Sequence, residues 1–236
     1  GNLGNPGDIS ILADVPGAPY DNGLNGGGNY ATLNALDSAT TLSNGNLTIT
    51  GSGSAFKAAR STIGMKTGKW YFEGKHVAIS SATSCGFGIW DSTKSTAELN
   101  SGGGSYGNNY LAIYDYSGNI QYVLGGTATT IESGSISAGD VLGFALDLDN
   151  NTLKVHKNGV YLNSGNSIYD VWPEDRTYFF GGYEYNSGNT LEFNFGQREF
   201  AYTPPAGYKA LNTYNLPDPT ITDPSTGFDV KTYTGD

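Results

Sequence analysis

The stretch Val141-Leu142-Gly143-Phe144-Ala145-Leu146-Asp147-Leu148, Asp149-Asn150-Asn151, Thr152-Leu153-Lys154-Val155-His156-Lys157 and Asn158-Gly159 decides the fold. Its apolar side chains recur every second residue rather than every 3.6, the period of a pleated strand. The three-residue break and the closing Asn-Gly are turn chemistry, so the stretch reads as a long hairpin. Leu142, Phe144, Leu146 and Leu148 fall on one face, with Leu153 and Val155 inward from the return strand. The other face takes Val141, Gly143, Ala145 and Asp147, with Lys154 and His156 outward. The same period runs outward in both directions. Leu47 and Ile49 alternate after Asn44-Gly45, and strands are expected at 70–73, 77–79, 86–90, 111–116, 120–124, 178–183 and 190–195. Phe193 and Phe195 point inward there, with Glu192 and Asn194 towards water. No ten-residue segment carries a helical stripe. Many short strands punctuated by Gly and Asn mean an all-β sandwich or barrel.

Composition agrees and excludes several functions. The 236 residues hold 12 Lys+Arg against 22 Asp+Glu, a net charge of −10. That balance opposes binding to nucleic acid, which needs a basic footprint, or to anionic lipid. Aromatic residues make up 13 %, and each buried one is worth about 1.5–3 kcal/mol, enough to hold a core. Cys85 is the single cysteine and there are two histidines, so neither an internal disulfide nor a Cys/His zinc site is expected. No apolar run is long enough to span a membrane, and no signal peptide is visible. With Met65 the only methionine, the expectation is a piece of something longer. Residues 1–28 are polar, Gly/Pro-rich and aperiodic, an extended arm. The sandwich is expected over 29–213, and 214–236, stiffened by Pro217, Pro219 and Pro224, is a linker towards a further module.

Three motifs then resemble a known family. Gly68-Lys69-Trp70-Tyr71-Phe72-Glu73 with Gly86-Phe87-Gly88-Ile89-Trp90 resembles the opening of a SPRY domain. The stretch from Gly139-Asp140-Val141 to Lys157-Asn158-Gly159-Val160 resembles its central hairpin. Leu191-Glu192-Phe193-Asn194-Phe195-Gly196-Gln197 and Thr203-Pro204-Pro205-Ala206-Gly207-Tyr208 resemble its last strand and exit. The resemblance implies a concanavalin-like pair of bent antiparallel sheets, with extended N- and C-terminal arms here, and a binding module rather than an enzyme. Ala31-Thr32-Leu33-Asn34-Ala35-Leu36-Asp37 and Phe228-Asp229-Val230-Lys231-Thr232-Tyr233-Thr234-Gly235 resemble the flanks of such domains in tail proteins of environmental bacteriophages. A virion location, extracellular action and a homo-oligomer, a trimer in many fibres, follow from that resemblance alone.

The chemical alternatives are weaker. An EF-hand begun at Asp147 needs Gly and Glu where Thr152 and Asn158 stand, and a hairpin turn explains the acids. Gly102-Gly103-Gly104-Ser105-Tyr106-Gly107 fits a phosphate-loop pattern but leads into a strand, not a helix. A glycosidase needs two carboxyls about 5–10 Å apart. Asp147 with Asp149, Glu174 with Asp175, and Glu184 with Glu192, the last bracketing an expected hairpin, read instead as surface acids. His76 and His156 sit on expected strands without a nucleophile elbow. Cys85, Trp70 and Trp90 read as packing residues. No catalytic residue, metal or cofactor is called for.

Binding then belongs to the loops. The candidates are Tyr106, Asn108, Asn109 and Tyr110 in one, Tyr169 and Trp172 in a second, and Tyr183 and Tyr185 in a third. Exposed Tyr and Asn offer flat apolar area beside amide groups, which suits glycans and polar protein surfaces; the alternative is that these rings pack onto the sandwich rim. The functional expectation is a receptor-binding domain for a host-surface glycan or protein. A structural spacer or head decoration touching only other virion subunits is the second reading, and a capsule depolymerase a remote third.

Overall fold

The computed structural model describes residues 29–38, 40–53, 56–80, 85–93, 110–124 and 127–217. The arm over 1–28, most of the linker over 214–236 and the 102–109 loop therefore lie outside the described residues. The described chain is strands, turns and two single-turn 3-10 helices, Asn163–Gly165 and Thr213–Asn215. The strands are β1 (Leu33–Ser38), β2 (Thr41–Ser43), β3 (Thr48–Thr50), β4 (Lys57–Ser61), β5 (Lys69–Ala78), β6 (Cys85–Asp91), β7 (Tyr110–Tyr116) and β8 (Asn119–Leu124). They continue with β9 (Thr127–Ser133), β10 (Val141–Asp147), β11 (Thr152–Lys157), β12 (Val160–Tyr161), β13 (Tyr178–Glu184), β14 (Thr190–Asn194) and β15 (Lys209–Ala210).

They form two antiparallel sheets. One runs β1-β4-β13-β6-β7-β8-β9 and the other β12-β11-β10-β5-β14-β3-β2, with β15 pairing parallel to the start of β5. The hairpin that opened the sequence reading is β10–β11, in register from Leu142 opposite Lys157 to Asp147 opposite Thr152. The stretches at 70–73 and 77–79 are one strand, β5, which holds the centre of its sheet between β10 and β14.

Between the sheets lies a phenylalanine core. Phe180 from the seven-stranded sheet stacks on Phe72 at 4.0 Å and meets Phe144, Phe193 and Phe195 of the other sheet at 4.9, 5.7 and 5.8 Å. Close approach there demands small backbone. A Cβ on Gly74 would sit 2.4 Å from the Phe87 ring, so this strand position admits only glycine.

Two outward readings are corrected. His156 is 2 % exposed and Asn194 5 %, although both were assigned to the solvent face. The cause is the chain after β14, which folds back over the outer face of the eight-stranded sheet. There Phe200, Ala210 and Tyr30 bury Tyr71 and Ala145, with Tyr71 edge-on to Phe200 at 4.8 Å. The outer face of the seven-stranded sheet carries a second buried cluster, Ala58, Trp90, Ala112, Tyr114, Val123 and Tyr183. Each sheet is thus apolar on both sides, and strict alternation no longer reports solvent.

The registers also fix two poles. Asn29 and Thr213 exchange hydrogen bonds, Tyr30 pairs with Asn212, and Ala31 N–H bonds Leu211 O, so the described chain enters and leaves at one end. At this entry pole lie the β4–β5 connection, the β10–β11 turn and the 169–176 loop. The β7–β8 and β11–β12 turns and the end of β13 form the far pole.

Candidate functional site

The predicted loop residues divide between the poles. Tyr106, Asn108 and Asn109 lie outside the described residues, and Tyr110 opens β7 opposite Trp90, at the entry pole. Tyr169 and Trp172 stand at the same pole and touch, Trp172 edge-on to Tyr169 at 4.8 Å and to Tyr178 at 5.0 Å. Trp172 is only 6 % exposed and lies in the core, while Tyr169 is half-buried. Tyr183 and Tyr185 belong to the far pole. Tyr183 is buried on the outer-face cluster, and both rings pack on Phe56, at 5.9 and 4.8 Å.

The 169–176 loop is held from several sides. Leu153 N–H donates to Tyr169 O and Ile168 N–H returns to Leu153 O. The Tyr178 hydroxyl donates to Pro173 O at 2.9 Å. Arg176 Nη1 donates to Asp91 Oδ2 at 2.6 Å, and that hydrogen bond, to a carboxylate 2 % exposed, raises the guanidinium pKa further. Thr93 occupies the other Asp91 oxygen through its N–H and its hydroxyl. On this frame Val171 is 60 % exposed, flanked by exposed Asp170, Glu174 and Asp175. A rigid aromatic stack thus carries an apolar tip with an acidic rim.

Two of the acids read as surface carboxylates are instead buried, Asp147 at 4 % exposure and Glu184 at 0 %, because the fold uses them, whereas Glu174 and Asp175 are exposed as expected. Asp147 Oδ1 accepts the N–H groups of Asp149 and Asn150, which shapes the β10–β11 turn. Burial alone would raise its carboxyl, but hydrogen bonds from Asn150 and Lys69 outweigh burial and hold it below the usual range. Glu184 and Glu192 do not bracket a hairpin: the chain between them crosses from one sheet to the other. Glu184 is buried, which raises its carboxyl against the Thr40 hydroxyl and the Ser52 N–H. Glu192 pairs with Arg198 at 2.7 Å. Among the described residues no group of three or more His, Cys, Asp or Glu is placed to hold a metal ion. No helix among them is long and apolar enough to cross a membrane. Cys85 is fully buried and its thiol is pushed up to about 12 by burial, so it is a poor nucleophile at neutral pH.

Sequence reasoning missed a buried polar relay. Gly159 N–H donates to His156 Nδ1 at 3.1 Å, which assigns the neutral ring's proton to Nε2. Nε2 lies 2.7 Å from the Tyr71 hydroxyl, which donates to Glu73 Oε1 at 3.0 Å. Glu73 also accepts the N–H groups of Ala201 and Tyr202, tying the returning chain to the sheet. Burial raises the Glu73 carboxyl despite these donors and lowers His156 to about 4. The only signal available in the sequence was a His and a Glu on expected strands.

No family model matches the chain. Among solved structures it is similar to the crystal structure of the SPRY domain of human HERC1, at TM-score 0.57 and 16 % identity, over 71 % of this chain and 99 % of that one. It is also similar to the TRIM65 PSpry domain, at 0.52 and 16 % over 70 % and 92 %, and to a human SPRY domain, at 0.50 and 16 % over 69 % and 99 %. At such identity the likeness is one of architecture, and the two-sheet sandwich described here has the SPRY fold.

Proposed function

We propose that the chain is a non-enzymatic binding module of a phage tail fibre or related virion appendage, acting outside the cell, whose 169–176 loop meets a host-surface glycan or protein. The observation that carries the binding reading is Val171, 60 % exposed on a loop fixed by the Arg176–Asp91 pair and the Tyr169–Trp172–Tyr178 stack. Preorganised tips of this kind lose little entropy when they dock. The virion context rests on the flanking sequence and on a composition low in charge and rich in glycine, and a homo-oligomer beside other virion subunits belongs to the same reading. The test is binding of the labelled full chain to a panel of bacterial cells. Val171→Asp should lower binding about tenfold, the equivalent of one desolvated apolar anchor, with melting unchanged. Binding to none of the cells, or binding indifferent to Val171→Asp, would overturn the proposal.

A second reading, a spacer or decoration domain, is favoured by β9. Among the described residues Thr127–Ser133 is an edge strand, it has no Lys or Pro, and its first four residues are exposed, features that suit pairing with a neighbouring subunit. Protection of β9 from hydrogen exchange in the assembled particle, with the 169–176 loop unprotected on host cells, would favour it.

A further inference from the structure

An open cleft of about 850 Å³ lies at the entry pole, between the β4–β5 connection, the β10–β11 turn and the exit of the chain. That volume is within the range of ligand sites, about 300–1,000 Å³. Of the described loop candidates, Tyr169, Trp172, Tyr183 and Tyr185 do not line it. Its walls come from Thr67 to Trp70, from Asp149, and from positions between 207 and 217.

The walls are tied to the framework. Gly68 N–H donates to Asp149 Oδ1 at 2.7 Å, Leu148 N–H to Gly68 O at 3.0 Å, and Trp70 Nε1 to Thr67 O at 2.7 Å. On the exit side Asn212 caps the single turn Thr213–Asn215 through its side-chain oxygen, and Asn215 Nδ2 holds Ala210 O. This turn displays Tyr214 at 68 % exposure. A ring so open on so fixed a backbone contributes little to the core. Lys209 is exposed, and Lys69, 3.1 Å from Asp147, keeps 40 % of its side chain exposed. That ion pair neutralises Lys69, and Lys209 brings a second ammonium into the lining.

The chemistry of the lining selects a ligand class. An open aromatic face suits the C–H face of a sugar ring, and Asp149, Thr67 and the lysines accept from and donate to hydroxyls. The exposed Lys209 ammonium adds a place for one carboxylate, and one cation is too few for a nucleic-acid backbone. We propose that this cleft binds a short stretch of acidic oligosaccharide, its sugar face on Tyr214 and its carboxylate at Lys209. The proposal stands on the cleft and is independent of the virion reading.

The experiment titrates trigalacturonate, trimannuronate and a hyaluronan tetrasaccharide into the full chain by calorimetry, with maltotriose as the uncharged control. At least one acidic probe should bind, weaken as salt rises, and exceed maltotriose by about tenfold. Tyr214→Ala and Lys209→Glu should each weaken it by about tenfold with melting temperature unchanged. Val171→Asp should leave it intact, which separates this cleft from the host-surface loop. Failure of all three acidic probes, equal binding of maltotriose, or binding untouched by both cleft variants would overturn the assignment.

Discussion

Gly143 shows how tightly single residues are constrained. A Cβ there would lie 1.9 Å from His156 Nε2 and 2.5 Å from the Tyr71 hydroxyl, so the Tyr71–His156 contact exists only because this side chain is absent. Gly143→Ala should therefore cost about 1–3 kcal/mol or more by overpacking, read from urea unfolding. His156 itself carries a pH dependence. Its folded value of about 4 lies below the 6.5 of an exposed ring, so between those values the unfolded chain binds the extra proton and stability falls as pH drops. The full shift amounts to something on the order of 3 kcal/mol. His76, also lowered to about 4 by burial, acts in the same direction, whereas Glu73 and Glu184, raised by burial, act in the opposite one. The contribution of His156 is isolated by difference: the stability advantage of wild type over His156→Gln should shrink by roughly that amount from pH 7 to pH 4. A constant difference would mean that the buried ring is not held neutral.

At the level of elements, the β11–β12 turn rests on Asn158, whose φ of 51° is costly for most side chains. Its Oδ1 accepts Val141 N–H at 2.9 Å and its Nδ2 donates to Asp140 at 2.7 Å, which clamps the start of β10. Asn158→Ala should lose about 1–3 kcal/mol, while Asn158→Gly, free of the backbone cost, should lose less. Thermal melts of the two variants check the order. Elements of this kind were readable in advance because Asn-Gly between alternating apolar rows has one dominant solution. β4 and β9 were not. Lys57-Ala58-Ala59-Arg60-Ser61 offers only two alanines as apolar residues and lies between β1 and β13, and Thr127–Ser133 offers no apolar row at all. Their strand character comes from neighbours in space. The same holds for the candidate sites: a local aromatic cluster drew attention to the 169–176 loop, whereas the cleft at Tyr214 joins segments some 80 and 140 residues apart in sequence, and no short window contains it.

On the scale of the whole sandwich, cohesion depends on one ring. Phe180 lies against Phe72, Phe87, Phe144, Phe193 and Phe195, so both sheets meet at it. Phe180→Ala should cost about 3–5 kcal/mol, the upper range for a cavity in a well-packed interior, and denaturant unfolding should remain a single transition. Separate transitions for the two sheets would show that they are not one cooperative unit. The pairing of Asn29 with Thr213 has a consequence of a mechanical kind. Tension applied through both chain ends converges on those few rungs and loads them one after another, as in a zipper, instead of shearing the sheets along their length. A domain tethered in this way dangles beside the line of pull, and its strands stay slack while the tether is taut.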